Sequence, residues 1–381
     1  MAEFKFDPYD SYQLYGYLSQ KKSSDNFLKR RYFTGAKRDL RENGTIMIDY
    51  SFGRDKVAPF ISAKSKGLHV GRDGYATMTL SVPRIGLRES ISFDDLDKRL
   101  PGEDPFKPLT YAEREKAIIS GAYERLDSAI SLKEEVMASE LLTGHKLTIK
   151  EFDETVLNAE PESYDIDFLN PLDTTGSNLK KSQIDMINEA KDSAFYTPAK
   201  TWDNSDAHII KEIHEMITPL SKRNILNSNF DLVIDAKTRE ALLNNNEFMD
   251  LQKLSNYGDK FAEIIMQELG NHAALVGRIN VYGKMANVIC YEGTYFDEEG
   301  NERLYIPEGT AIAINPGAAG HFVYGAVSMY PQGGKKRETF RGERIPKIYI
   351  DDDNDTQEFR LYSHPLCVPE QFAGWTVGNV L

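Results

Sequence analysis

"RLPGEDPFKPLTYAEREKAIISGAYERLDSAISLKEEVMASELLTGHKL", Arg99 to Leu147, governs how the rest of this chain is read. Thr110 and Glu113 stand three apart, the spacing at which a hydroxyl and a carboxylate satisfy free backbone donors of a first helical turn. Apolar side chains then recur at three- and four-residue intervals, at Ile118, Ile119, Ala122, Tyr123, Leu126, Ile130, Met137, Leu141 and Leu142, until Gly144 supplies a C-cap. At 1.5 Å per residue the pattern predicts one helix on the order of 50 Å long. Such a helix is a structural spine, and its flanks have to be explained around it.

Upstream, the first forty residues are polar, rich in Tyr and Lys, and lack a sustained period; "SQKKSSDNFLKRRYF" reads as an arm that gains structure from neighbours. Strand formers follow in "GTIMIDYSFG", "KVAPFISA" and "YATMTLSVPRIGL". Between the second and third of these, Lys64 to Gly74 ("KSKGLHVGRDG") holds three Gly and several charges, which predicts a mobile tip joining two long strands. A hairpin with no partner in adjacent sequence presents exposed edges.

Downstream, "SYDIDFLNPLDTTGSNLKKS" is a strand and turn, and "DAHIIKEIHEMITPLSKR" a helix that Asp206 can cap. "FDLVIDAKTREALLNN" reads as strand then helix, and "GDKFAEIIMQEL" as a further helix. In "YEGTYFDEEGNERLYIPEGTAIAI", Tyr291 to Ile314, an acidic turn with Gly300 at its tip joins two β-branched and aromatic runs, and Pro307 and Gly309 lead into a third run at Thr310. "GHFVYGAVSMYP", "IPKIYID", "QEFRLYSHPLCVP" and "GWTVGNVL" close the chain as strands. Helices and strands do not alternate strictly, so the class is α+β.

The chemistry is sparse. The 381 residues carry 46 Lys and Arg against 59 Asp and Glu, a net charge of −13 that argues against a protein whose main task is gripping phosphates. No apolar run approaches the ~20 residues of a membrane span, and the N-terminus lacks the pattern of a secretory signal, so neither membrane insertion nor export is expected. Cys290 and Cys367 read as buried free thiols. His208 and His214 are six apart, whereas a zinc-binding HExxH needs four. In "DDDNDTQEF", counting Asp351, Asp353 and Asp355 as calcium-loop positions leaves Thr356 where Gly is required and Tyr362 where Glu is required. P-loop, dinucleotide and serine-elbow motifs are absent. No catalytic, cofactor-binding or metal-binding residue is assigned, and no cofactor is expected.

The order of arm, long hairpin, spine helix, compact α+β domain and late return of strands resembles the Hong Kong 97-type fold of tailed-phage capsids. More narrowly, the chain resembles the major capsid protein E family of lambda-like phages. The residues that carry the likeness are "RLPGEDPF" (Arg99 to Phe106), "ERLDSAISLKEEVMASELLTG" in the spine, "YFDEEGNERLYIPEGTAIAINPGAAGHFVYG" (Tyr295 to Gly325) and the closing "SHPLCVPEQFAGWTVGNVL". One departure is the polar "DTTGSNLKKSQIDMINEAKDSAFYTPAK", longer than its family counterpart and expected to be a surface insertion.

The resemblance implies a five-part division: an N-terminal arm over 1–39, an extended loop over 40–92, a peripheral domain with the spine over 93–160, an axial domain over 161–334, and C-terminal strands over 335–381 that return to the peripheral domain. It implies a non-enzymatic virion protein, assembled in the host bacterial cytoplasm, whose hexamers and pentamers tile an icosahedral shell around double-stranded DNA. Implied partners are further copies of the chain, a separate scaffolding protein, a portal protein, a decoration protein where one is used, and packaged DNA held by loose, non-specific contact. The expected assembly contacts are Lys64, Lys66, Gly67, Gly71, Arg72 and Gly74 at the loop tip. Two other readings remain open on sequence alone: an encapsulin-like bacterial compartment with the same fold, and a soluble hydrolase using scattered carboxylates.

Overall fold

The computed structural model describes residues 26–34, 39–41, 45–52, 74–100, 103, 106, 108–152, 162–170, 181–255, 262–270, 272–330, 336–351 and 356–381. They fall into two compact units, the first from Met1–Ile46, Ser81–Ala138 and His321–Val368, the second from Met47–Leu80, Ser139–Gly320 and Pro369–Leu381.

The spine helix spans Tyr111–Gly144, and its start is built as the sequence predicts. The Glu113 carboxylate accepts the Thr110 N–H at 2.9 Å and its hydroxyl at 2.8 Å, while the Thr110 hydroxyl accepts the Glu113 N–H at 3.4 Å. Within the first unit Ile119, Ala122, Tyr123 and Ile130 pack on Ile91, Ile348, Phe359 and Leu361. Those partners belong to an antiparallel sheet in the order Ile345–Asp351, Thr356–Ser363, Ile85–Ile91. Side chains alternate across a strand, so with Phe359 and Leu361 against the helix the residues between them face away. Each buried aliphatic or aromatic side chain contributes about 1.5–3 kcal/mol, so this seam contributes substantially to holding the unit together. A second, three-stranded sheet runs Asp39–Arg41, Gly320–Gly325, Pro365–Pro369. The short helix Phe27–Tyr32 buries Phe27, Leu28 and Tyr32.

The second unit is organised by a seven-stranded mixed sheet in the order Phe195–Tyr196, Thr376–Asn379, Thr310–Ile314, Asn229–Ile234, Lys284–Tyr291, Ala273–Val281, Ala262–Gly270. Helix Ile209–Lys222 lays Ile213, Met216, Ile217 and Leu220, spaced three and four apart, onto Phe230, Leu232, Ile234, Ile279 and Val288. The hairpin read from Tyr291 to Ile314 forms, with Thr294–Phe296 paired to Glu302–Leu304, Gly300 at φ +84° and Gly309 at φ +76°.

Five expectations need correction or limits. Ala262–Gly270, expected within a helix, is an edge strand antiparallel to Ala273–Val281. Its Glu, Met, Gln and Leu are good helix formers, and a ladder of tertiary pairing overrides that weak preference. Asp206 does not cap the helix at 209, whose N-cap is His208 without a side-chain bond. At the end of the spine, Gly144 is still helical and His145 takes the left-handed turn at φ +53°. Half of the supposed surface insertion is structural: helix Lys181–Asp192 buries Ile187 and Ala190, and Phe195–Tyr196 is an edge of the large sheet. Finally, strand "KVAPFISA" lies outside the described residues.

Candidate functional site

The hairpin between the arm and the spine is two-faced. Along Thr45–Phe52 and Gly74–Ser81, Ile46, Tyr50, Ala76, Met78 and Leu80 are buried, while Met47 is 67% and Tyr75 60% exposed. The buried face has a definite seat: Tyr50 packs with Leu169, Ile187 and Phe372, edge-on to the Phe372 ring at 5.8 Å. The base of the hairpin thus belongs to the subunit's own core. The exposed face stays polar and apolar by turns, with the Thr77 hydroxyl donating to Asp49. Of the tip residues, Lys64, Lys66, Gly67, Gly71 and Arg72 lie outside the described residues, and Gly74 opens the second strand.

The acidic turn at Asp297 is wired to itself. Asp297 accepts the backbone N–H groups of Glu299 at 3.0 Å and Asn301 at 2.8 Å, and the Arg303 guanidinium donates to it at 2.7 Å. The Arg303 bond, followed by the Asn301 N–H, lowers the carboxyl to about 2. A carboxylate committed in this way holds a turn and has little left for a ligand.

Where the short arm helix meets the spine lies an arrangement that the sequence reading missed. Glu135 accepts the N–H groups of Leu28 at 2.7 Å and Lys29 at 3.1 Å, satisfying free donors at the start of the arm helix. Glu134, fully buried, receives the Arg344 guanidinium on both oxygens at 2.7 and 3.0 Å, Lys29 Nζ at 2.7 Å and the Tyr324 hydroxyl at 3.1 Å. Arg344 reaches on to Asp127 at 2.6 Å and the Ser131 hydroxyl at 3.1 Å. Burial alone would raise the Glu134 carboxyl, but Arg344 and then Lys29 outweigh it and hold the group below its ordinary range. Burial likewise opposes the Arg344 charge, and Glu134 overturns that and raises it. A signal existed: 127, 131, 134 and 138 continue the buried stripe of 119 and 123, so the acids of "LKEEV" fall on the face that packs.

The remaining reactive side chains are muffled. Burial pushes the Cys290 thiol up to about 12 and Cys367 well above its ordinary value, which suppresses the thiolate that nucleophilic chemistry needs. His214 rests against the Tyr282 ring at 4.7 Å, and among the described residues no three His, Cys, Asp or Glu side chains gather as a metal site.

The family described as phage major capsid protein E matches residues 10–379. The P21 prophage-derived major head protein of Escherichia coli O6:H1 and the major capsid protein of Enterobacteria phage P21 are each 23% identical over 368 residues, 94% of this chain and 96% of theirs. A solved prophage protein of E. coli CFT073, described as a capsid protein, aligns over 97% of this chain and 99% of its own with a TM-score of 0.60 at 17% identity. The shared fold is the Hong Kong 97-type capsid fold. With a match running almost from end to end through the arm helix, the hairpin, the spine and the large sheet, the chain belongs to the phage major capsid protein E family.

Proposed function

We propose that this major capsid protein tiles an icosahedral shell around double-stranded DNA as hexamers and pentamers of itself. It is a structural component of the virion of a tailed phage and not an enzyme. The observation that carries the reading is the near-complete family match on a chain whose ordered carboxylates hold turns and helices together.

In this reading the five-part division into arm 1–39, extended loop 40–92, peripheral domain 93–160, axial domain 161–334 and returning strands 335–381 describes how the subunit is used. The loop tip, Lys64, Lys66, Gly67, Gly71, Arg72 and Gly74, reaches a neighbouring copy. The exposed Met47 and Tyr75 on the strands leading to the tip support this, since a neighbour's surface would cover them. A separate scaffolding protein and a portal protein complete assembly in the host cytoplasm, and a decoration protein binds outside where the phage uses one. A net charge of −13 suits a wall that contains DNA and touches it at few places. Negative-stain microscopy of the protein expressed with its neighbouring phage genes tests the proposal. DNA-filled heads are the expected result; small tail-less shells holding protein, or a small oligomer at every concentration, would overturn it.

A further inference from the structure

The antiparallel sheet of the first unit turns a second face away from the spine helix; Ile345 and Tyr362 pack there on Val327, Met329 and Phe340, and the strands beyond them carry charge. Lys347 lies opposite Arg360, and Arg360 lies opposite Arg88, so three cations sit side by side across three strands. Directly opposed residues share a face, and their chain neighbours Ile348, Phe359 and Leu87 belong to the packing on the spine helix, so the three cations point away from it. Strand spacing puts the whole row within about 10 Å. Like charges placed opposite one another destabilise a sheet.

The surroundings relieve this only in part. Glu358 bonds to Arg360 at 2.8 Å and to Arg88 at 3.3 Å, and is thereby shared between two guanidiniums. Arg360 also lies over the Tyr349 ring at 4.4 Å, and a fourth cation, Arg84, lies over Tyr362 at 4.6 Å. Lys347 has no ion pair among the described residues; burial and then Arg360 push its ammonium below the usual lysine value. Among the described side chains Arg84, Arg88, Lys347 and Arg360 gather here, with Glu358 bonded to two of them, on a chain of net charge −13. The sequence that joins the outer and middle strands, Asp351 to Asp355, is acidic.

We propose that this row binds the phosphate backbone of duplex DNA, making it one of the few places where the wall touches the packaged genome. The proposal rests on the capsid reading above. Double-stranded DNA carries one negative charge per about 1.7 Å of axis, dense enough to meet several cations of a short row at once. Guanidiniums already lie over one face of the Tyr349 and Tyr362 rings, which leaves less ring surface for bases to stack on. Recognition is then of phosphate, without sequence preference.

Two measurements test it. The first needs no shell: for the full-length subunit with a mixed-sequence duplex, log K against log salt should lose about one unit of slope in Lys347→Gln. An unchanged slope overturns the proposal even if shells form normally. The second uses particles: formaldehyde should give Lys347–nucleotide adducts in DNA-filled heads, and these adducts should be lost in empty shells. Carbodiimide coupling of Lys347 to a carboxylate of another copy, with no nucleotide adduct, would assign the face to subunit contact and overturn the proposal. Failure to form shells, with the slope change intact, would sink the capsid reading and leave the phosphate site standing.

Discussion

Replacing Arg344 by Gln removes the cation that two buried acids share. Glu134 is fully buried and Asp127 is 4% exposed, and Arg344 donates to both at 2.6–2.7 Å. Lys29 remains near Glu134 at 2.7 Å, but Asp127 loses its guanidinium outright. Breaking a buried pair from one side costs about 3–5 kcal/mol, a large part of the roughly 5–15 kcal/mol that holds a protein together. At about 2–4 °C per kcal/mol, the melting temperature of the free subunit should fall by about 6–20 °C at neutral pH. Acid should close the gap. In the wild type the Glu134 carboxyl is held below its unfolded value, so its contribution is complete above that value and is lost as pH falls through the folded one. In the variant burial raises the carboxyl, so protonation on acidification relieves the folded state. Melting curves of both proteins between pH 4 and 8, read by differential scanning fluorimetry, should therefore converge towards the acid end. A loss under 1 °C, or a difference that stays constant with pH, would refute the assignment of these charges as a mutually dependent buried network.

Ile119→Asp should leave an insoluble subunit, because the side chain is buried against the sheet and an unpaired charge there costs several kcal/mol; soluble expression with normal assembly would count against the seam. Trypsin should cut after Lys64, Lys66 and Arg72 early in the free subunit and slowly in the shell, and deleting Lys64 to Gly74 should leave a folded subunit unable to close shells; equal cutting rates or an unfolded deletion would dismiss the loop contact. His145, buried against Trp375 at a ring distance of 4.4 Å, is lowered by burial to about 3, so it favours folding fully above pH 6.5 and less as pH falls towards 3, by about 1.4 kcal/mol per unit. His145→Asn, which keeps a residue tolerant of positive φ, should flatten that part of the acid limb. Melting and assembly should be the same with and without EDTA, and a shift of many degrees would reveal a metal site.

The elements legible from sequence were those whose signal is local. The spine announces itself through Thr110, Glu113 and its apolar stripe, and the Asp297 hairpin through Gly300, because caps and turns are decided within a few residues. What escaped depends on partners far along the chain. The strand at Ala262–Gly270 exists because Ala273–Val281 pairs with it, and nothing within the segment says so. Glu134 is tolerable in a core because Lys29 and, 210 residues away, Arg344 reach it. The basic row joins Arg88, Lys347 and Arg360, which become neighbours only when the register of three strands is known.

The large sheet also sets an order of events during translation. Its strand Thr376–Asn379 sits inside the sheet, between Phe195–Tyr196 and Thr310–Ile314, rather than at an edge. It is made after every other strand of that sheet, so the nascent sheet keeps two open edges until Thr376–Asn379 emerges. Trp375 then closes over His145 and donates to the Leu142 carbonyl at 2.8 Å, tying this strand to the end of the spine. A ribosome that stops before Thr376 therefore releases a subunit whose large sheet is incomplete, exposed to proteases and chaperones.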